Sequence, residues 1–285
     1  MNSICFFSSY YPSGNIPCYV KVYLEELIRH FTQVVFLTNE KPLSNADLAF
    51  LSQNNIEHRL YENKGFDFGM WRKALREFPA NEFDRIGFVN DSCILYGKLD
   101  SFFEWMNKEG PDYCGMTDSN ALSYHIQSYF LVINKPAIPV VIEYLKENAE
   151  PGNMKDVINR FEVGLSKLVG EHKLKLAARY SHKEYKGEFN PMLVFADKLI
   201  REGIPLIKKK ILFSSFRPDE WRTLMRMNYD PDALNAVKLI EQSNKELLLD
   251  LNKLVDEQSK DGAKWRYNKF RVKSFFYQRI RKLKR

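Results

Sequence analysis

Short apolar runs alternate with amphipathic stretches over the first part of the chain, up to about residue 135. The runs are the length of β-strands, and we predict strands at 3–8, 33–37, 57–61, 85–89, 113–116 and 129–133. Between them, apolar residues recur at three- and four-residue steps, which predicts helices at 18–31, 68–78 and 99–107. This alternation predicts an α/β fold with a mostly parallel sheet flanked by helices.

The remainder of the chain has a mostly helical pattern. Helices are predicted at 139–148, 157–172, 191–202 and 231–257. The spacing in the last stretch leaves two interpretations open: a coiled coil that forms a homodimer, or a helix that packs on the core. We expect a first domain over residues 1–222 and a helical extension over residues 223–285.

Basic residues are concentrated at the C-terminus. Ten of the 43 Lys and Arg lie within residues 264–285, which contain no Asp or Glu, so the other residues have a net charge of −3. An acidic body argues against nucleic acid as a partner. On a helix, the tail would carry one apolar stripe among its basic residues, which favours an anionic membrane surface as a partner. A helix docked on the core and a disordered basic tail are the alternatives.

The sequence shows neither a secretory signal nor the roughly 18 consecutive apolar residues that a membrane span requires. We therefore expect a cytoplasmic protein, peripheral on the inner face of the cell membrane. The four cysteines show no metal-binding spacing.

The segment from Asn63 through Gly65 to Asp67 joins a predicted strand to a helix. Glycine permits positive φ or close backbone approach, and a helix N-terminus offers free N–H groups to phosphate oxygens. Asp67 either caps this helix or accepts hydrogen bonds from the base or ribose hydroxyls of a nucleotide.

A polar turn, Asn90-Asp91-Ser92, follows the strongest of the predicted strands, at 85–89. A carboxylate at this end of a parallel sheet stands where a divalent cation that bridges a diphosphate needs an oxygen ligand. The alternative is a buried turn in which Asp91 satisfies nearby N–H groups. Because one carboxylate is present, Asp91 is the candidate metal ligand.

Residues 113–134 are rich in side chains that can hydrogen-bond sugar hydroxyls. On an extended segment, His125, Gln127 and Tyr129 would share one face, so we expect His125 and Gln127 in a sugar or acceptor site. A structural histidine is the alternative. Glu162 lies in the first turn of a predicted helix, where the helix dipole alone favours an acid, and it is a candidate general base if the fold brings it to the sheet edge.

Four ordered blocks, NKGFDFGMW, FDRIGFVNDSCILYGKLDSFFEWM, GMTDSNALSYHIQSYFLVIN and FNPMLVFADKLIREGIPLIKKKIL, resemble the rhamnan synthesis protein F family of bacterial polysaccharide glycosyltransferases. The resemblance covers about residues 5–212, and the residues after about 222 lie outside it. It implies an A-type (Rossmann-like) glycosyltransferase fold, a nucleoside-diphosphate sugar donor such as a dTDP-deoxyhexose, and a lipid-linked glycan acceptor.

The resemblance also implies roles for individual residues. A-type enzymes hold a metal with Asp-x-Asp, and only Asp91 carries over here, which leaves dependence on Mg²⁺ or Mn²⁺ open. Looser similarity to inverting A-type enzymes places Asn63, Gly65 and Asp67, together with the turn formed by Asn90, Asp91 and Ser92, in the donor site. The same similarity makes Glu162 the expected catalytic base, with Asp118 as its competitor. A non-catalytic sugar- or nucleotide-binding protein that retains the fold is the alternative function.

Overall fold

The computed structural model describes residues 1–209 apart from residues 11–13, 40–41, 63, 121 and 186–189. Asn63, the predicted helix at 231–257, the extension from residue 223 and the basic tail at 264–285 lie outside the described residues. The expectations for them stay predictions.

Ten strands occur in the described part of the chain, and their bounds lie close to the predicted ones where a strand was expected. They are β1 Ser3–Ser9, β2 Gln33–Asn39, β3 Glu57–Tyr61, β4 Arg85–Asn90, β5 Cys93–Leu95, β6 Tyr113–Ser119, β7 His125–Ile126, β8 Phe130–Asn134, β9 Leu176–Tyr180 and β10 Leu206–Lys208.

The helices of the described part surround these strands. They are α1 Cys18–Leu27, α2 Asn45–Gln53, α3 Phe66–Glu77, α4 Asp100–Glu109, α5 Ile138–Glu147, α6 Met154–Asp156, α7 Gly164–Glu171, α8 Pro191–Val194 and α9 Ala196–Arg201. A π-helix, Val157–Val163, connects α6 to α7, and two short 3₁₀ helices lie at Ala80–Glu82 and His182–Tyr185.

The main sheet has the strand order β3-β2-β1-β4-β8-β6-β7, with β9 paired to β6. Strands β3, β2, β1, β4, β6 and β9 run in one direction, because β8 is antiparallel to both β4 and β6. The mostly parallel α/β sheet is therefore confirmed. The carboxyl ends of β1, β4, β6 and β9 meet at one edge, where sheets of this kind bind ligands.

Side chains alternate between two cores on opposite faces of the sheet. On β1, Cys5 and Phe7 join the core covered by α1 and α4, whereas Ile4 and Phe6 join the core covered by α3 and α5. A strand that is buried on both faces reads as an apolar run, which is why the sequence pattern identified it.

Three features differ from the prediction. Strand β8 was expected among the parallel strands, but it runs antiparallel, so its carboxyl end lies at the opposite edge. Helix α2 and strands β5, β7, β9 and β10 were not predicted. Strand β10 pairs antiparallel with β5 in a separate two-stranded sheet, and this pairing depends on residues more than 100 positions apart.

Among the helices that the structure describes, we find none with the length and apolar content needed to cross a bilayer.

Candidate active site

Two serines at the end of β1 connect this strand to carboxylates from two other parts of the chain. The Ser8 hydroxyl donates to Asp67 Oδ1 at 2.9 Å, and the Ser9 hydroxyl donates to Asp91 Oδ2 at 2.9 Å. Strands β1 and β4 are parallel neighbours, and Ser8 is in register with Asn90. The end of β1 thus brings both acids to the carboxyl edge.

Asp67 lies in the first turn of α3, after a left-handed Gly65 with φ of 80°. Its second oxygen accepts a hydrogen bond from Asn90 Nδ2 at 2.8 Å. Burial and the nearby charge of Asp91 raise the pKa of Asp67 to about 7, although the hydrogen bonds from Ser8 and Asn90 act in the opposite direction. Asp67 is therefore a half-buried link from α3 to β1 and β4.

The turn after β4 is held by its own side chains. Asn90 Oδ1 accepts from the Ser92 N–H at 3.0 Å and from the Ser92 hydroxyl at 2.6 Å. Asn90 and Ser92 therefore position the turn and are occupied with each other and with Asp67. The Asp91 side chain takes no part in the hydrogen bonds between Asn90 and Ser92. It is 15% exposed, and its Oδ2 atom lies 3.2 Å from Lys209 Nζ.

Glu162 lies on the π-helix and points toward the turn between β7 and β8. Its Oε1 accepts from the Ser128 N–H at 3.2 Å and from the Ser128 hydroxyl at 2.6 Å. The other oxygen, Oε2, faces His125 Nε2 at 3.8 Å, which is longer than a hydrogen bond. The Glu162 side chain is 15% exposed, and its Oε1 atom is held in position by the two hydrogen bonds from Ser128.

The π-helix has a local structural cause. The Gly164 N–H bonds to the Asn159 carbonyl five residues earlier, and the Tyr144 hydroxyl donates to the Arg160 carbonyl at 2.7 Å. A Cβ atom on Gly164 would lie 2.6 Å from that hydroxyl, so a larger residue would have to displace the Tyr144 side chain. Such insertions in helices are frequent at functional sites because they redirect a side chain, here Glu162.

Two contacts connect Glu162 to the Asp67 and Asp91 edge. Ser128 binds Glu162, and the carbonyl of the next residue, Tyr129, accepts from the Asn90 N–H at 3.3 Å. Phe68, which follows Asp67, also packs against Phe161, which precedes Glu162, since their rings lie 5.0 Å apart. Glu162 and the two aspartates are thus on neighbouring elements of one site.

Asp118, the predicted competitor for the base, is in a different environment. It is 1% exposed and accepts hydrogen bonds from the Ser181 hydroxyl at 2.9 Å and from both the backbone and the ring Nδ1 of His182. These bonds join the end of β6 to the chain after β9. Asp118 is therefore a structural link, and Glu162 is the more exposed of the two acids.

Of the three residues expected on one face, Gln127 and Tyr129 share a partner, whereas His125 has a different one. Gln127 Oε1 and the Tyr129 hydroxyl both bond to Thr117 Oγ1, each at 2.7 Å. His125 instead faces Glu162, because β7 ends at Ile126 and the chain turns before β8 begins. Its Nδ1 donates to the Ser123 carbonyl at 2.8 Å, so Nε2 faces the acid.

Several residues of the site were missed by sequence reasoning. Ser8, Ser9, Tyr19 and Lys209 contribute only through contacts between distant parts of the chain. A signal was available for two of them, since Ser8 and Ser9 end an apolar strand in the same way as Asn90 and Asp91 do. The sequence offered no such signal for Lys209, one of three consecutive lysines.

The family model described as rhamnan synthesis protein F matches residues 34–262, which is well over half of the chain. The chain belongs to the rhamnan synthesis protein F family. The match confirms the resemblance, and it runs past residue 222, where the resemblance was expected to end. Membership of this family supports a glycosyltransferase activity in general.

Other similarities are more distant. The virulence protein VirA of Vibrio anguillarum is 25% identical over 189 residues, which cover 53% of this chain and 60% of that protein. The chain therefore matches less than two thirds of this curated relative. A putative glucose-1-phosphate thymidylyltransferase from Bacillus anthracis has a TM-score of 0.44 at 10% identity, covering 63% of this chain and 86% of that one. A putative nucleotide-diphospho-sugar transferase from Desulfovibrio desulfuricans G20 has a TM-score of 0.42 at 12% identity, covering 85% and 98%.

Proposed function

We propose that this member of the rhamnan synthesis protein F family transfers a sugar from a nucleoside-diphosphate sugar to a hydroxyl group of a glycan. The observation that carries the proposal is the convergence of three carboxylates on one site. Asp67 and Asp91 lie at the carboxyl edge of the sheet, and Glu162 reaches the same edge through Ser128 and Tyr129.

In the proposed reaction, the Glu162 carboxylate takes the proton of the acceptor hydroxyl as its oxygen attacks the anomeric carbon. The bond between that carbon and the diphosphate oxygen breaks, and its electron pair passes to the diphosphate. Direct displacement of this kind inverts the anomeric configuration, so we propose an inverting enzyme. Ser128 holds Glu162 Oε1, which leaves Oε2 for the proton.

The donor is proposed to bind at the ends of β1 and β4. Two exposed aromatic side chains, Tyr10 after β1 and Phe66 at the start of α3, are 56% and 40% exposed. Phe66 adopts a left-handed conformation with φ of 55°, which is unfavourable for a residue with a side chain of this size. An aromatic ring kept in such a conformation beside Asp67 is suited to stacking on the nucleobase.

The finer parts of the proposal rest on the family and on the tail sequence. The donor sugar is proposed to be rhamnose or another deoxyhexose, and the acceptor a lipid-linked cell-surface polysaccharide such as an O-antigen. The basic tail at residues 264–285 would attach the protein to the cytoplasmic face of the membrane that carries this acceptor. A homodimer through residues 231–257 remains part of the same proposal.

The experiment that tests this function is an assay with a panel of sugar nucleotides, including dTDP-rhamnose and UDP-glucose. The full chain is incubated with each donor, with and without membranes that contain lipid-linked glycan. We expect release of one nucleoside diphosphate above all others, stimulated by the membranes. Absence of turnover with every donor would contradict the enzyme assignment.

A second candidate function is supported by one observation. The turn after β4 carries a single carboxylate, that of Asp91. The other two side chains of the turn, Asn90 and Ser92, bond to each other. A protein that binds the donor without turnover would have the same edge. In the donor panel, this candidate predicts saturable binding of a nucleoside diphosphate without its release from any sugar nucleotide.

A further inference from the structure

Lys209 is held against Asp91 by contacts that fix both its backbone and its ammonium group. Its backbone N–H donates to the Ser92 carbonyl at 2.9 Å, directly after β10 pairs with β5. Its Nζ atom lies 3.2 Å from Asp91 Oδ2 and donates to the Tyr19 hydroxyl at 2.8 Å. The same Nζ lies 5.0 Å from the centre of the Tyr19 ring. The ammonium group of Lys209 is thus held at the carboxyl ends of β1 and β4, the proposed donor site.

The residues at this edge do not fit a resident divalent cation. Mg²⁺ and Mn²⁺ are usually bound by one or two carboxylates together with phosphate oxygens and water, and these carboxylates need oxygens that are free to coordinate the ion. Asp91 Oδ2 already accepts from Ser9 and lies next to Lys209, and both Asp67 oxygens accept hydrogen bonds from protein groups. Asn90 is turned away toward Asp67 and Ser92.

The described residues contain one group of three side chains with metal-ligating atoms close together, formed by Glu26, His30 and Asp100 on α1, the turn after it and α4. Arg29 already bonds to both carboxylates of this group, at 2.8 Å and 3.4 Å. None of these residues belongs to the network of Asp67 and Asp91.

We propose that the ammonium group of Lys209 takes the place of a metal ion and binds the diphosphate of the donor. This inference rests on the proposed function, because the diphosphate is the group whose negative charge grows as the glycosidic bond breaks. A fixed positive charge at that position stabilises the leaving group without reorganisation. Asp91 has the role of a positioning residue, which holds Nζ at the edge together with Tyr19.

Lysine is suited to this role for a physical reason. Its ammonium is a compact point charge with three donors, of which Asp91 and Tyr19 direct two. The remaining donor is available to a phosphate oxygen. Without this cation, the diphosphate would approach the carboxylates of Asp67 and Asp91 with no compensating charge from the described side chains that contact them.

The test compares the wild type with Lys209→Met, which keeps the length of the side chain and removes its charge, and with Lys209→Arg, which keeps the charge. The matched control is Lys135→Met. Lys135 forms a similar ion pair with Asp84, at 3.0 Å. Asp84 comes directly before β4, so this pair lies at the edge of the sheet opposite to Asp91. Circular dichroism of each purified full-length variant checks that it is folded.

The first measurement is binding of dTDP and of inorganic pyrophosphate by calorimetry, in EDTA and again in excess Mg²⁺ or Mn²⁺. We expect the wild type and the control to bind equally well with and without metal. Lys209→Met should bind at least about tenfold more weakly, metal should not restore its binding, and Lys209→Arg should retain most of it. Removal of one such group typically lowers turnover by about 10² to 10³-fold, which the donor assay measures in EDTA.

The outcomes separate this inference from the proposed function. Wild-type binding or turnover that is lost in EDTA and restored by a divalent cation would overturn the role of Lys209, even if the variants fail to fold. Binding of dTDP by Lys209→Met equal to that of the wild type would overturn it as well. Binding that depends on Lys209 without any sugar transfer would support the inference while contradicting the enzyme assignment.

Discussion

Asp67 provides a quantitative test of the site, because its carboxylate is costly to ionise in the folded protein. Burial raises its pKa from the ordinary 3.8 to about 7, and the charge of Asp91 acts in the same direction. An acid whose pKa rises on folding destabilises the folded state wherever it ionises. The cost is absent below the unfolded pKa, grows as the pH rises, and is complete above the folded pKa near 7.

The size of the effect follows from the shift. One pKa unit corresponds to about 1.4 kcal/mol, so the full shift corresponds to about 4 kcal/mol as an upper limit. Asp67 is partly exposed, and solvent therefore reduces the cost. We expect about 2 kcal/mol above pH 8, which corresponds to about 4 to 8 °C in Tm for a protein of this size.

The perturbation is Asp67→Asn, which removes the charge and keeps the shape. The new amide can accept from Asn90 Nδ2 with its oxygen and donate to the Ser8 hydroxyl with its nitrogen, so both hydrogen bonds of the carboxylate are retained. We therefore expect the variant to be more stable than the wild type at pH 8 and nearly equal to it at pH 4.

The assay is thermal unfolding of the wild type and the variants at intervals between pH 2 and pH 9, without ligand. Glu26→Gln is the control, because its effect on stability should have the opposite sign. Burial alone would raise the pKa of Glu26, but hydrogen bonds from His30, from the Leu99 N–H and from Arg29 lower it to about 2. Glu26→Gln should therefore destabilise the protein at neutral pH, and the loss should shrink as the pH falls from 4.5 toward 2. A stability gain of Asp67→Asn that stays constant with pH, or falls as the pH rises, would refute the reasoning for Asp67.

Three other outcomes are expected. Asp91→Asn should lower sugar transfer by about 10²-fold or more in a folded protein, because Lys209 loses its anionic partner at the donor edge; near wild-type turnover would remove Asp91 from the site. Glu162→Gln should bind dTDP normally and lose transfer by about 10² to 10⁴-fold, with Glu171→Gln at the end of α7 as the control, and equal activity would reopen the case for Asp118 as the base. Truncation before residue 264 should abolish salt-sensitive sedimentation with anionic liposomes and leave donor hydrolysis unchanged, and failure of the full chain to bind liposomes at low salt would end the membrane proposal.

Local sequence patterns were sufficient to predict most of the central sheet. Strands such as β1 and β4 are apolar on both faces because helices cover both sides, so their pattern marks them without knowledge of their partners. Their order and direction follow largely from the alternation with helices. The same logic identified Asp67 and Asp91 as residues of the ligand edge, because each comes directly after a strand or at the start of the helix that follows one.

The remaining features were decided by tertiary structure. The direction of β8 depends on its pairing with β4 and β6, and a run such as residues 130–134 reads the same in either direction. The contact of His125 with Glu162 joins residues 37 positions apart, which a pattern of alternate residues does not reveal. The pairing of β10 with β5 brings Lys209 to Asp91 across 118 positions of sequence. Neither residue carries a local signal for the other, since the energy of an ion pair depends on a distance that only the folded chain determines.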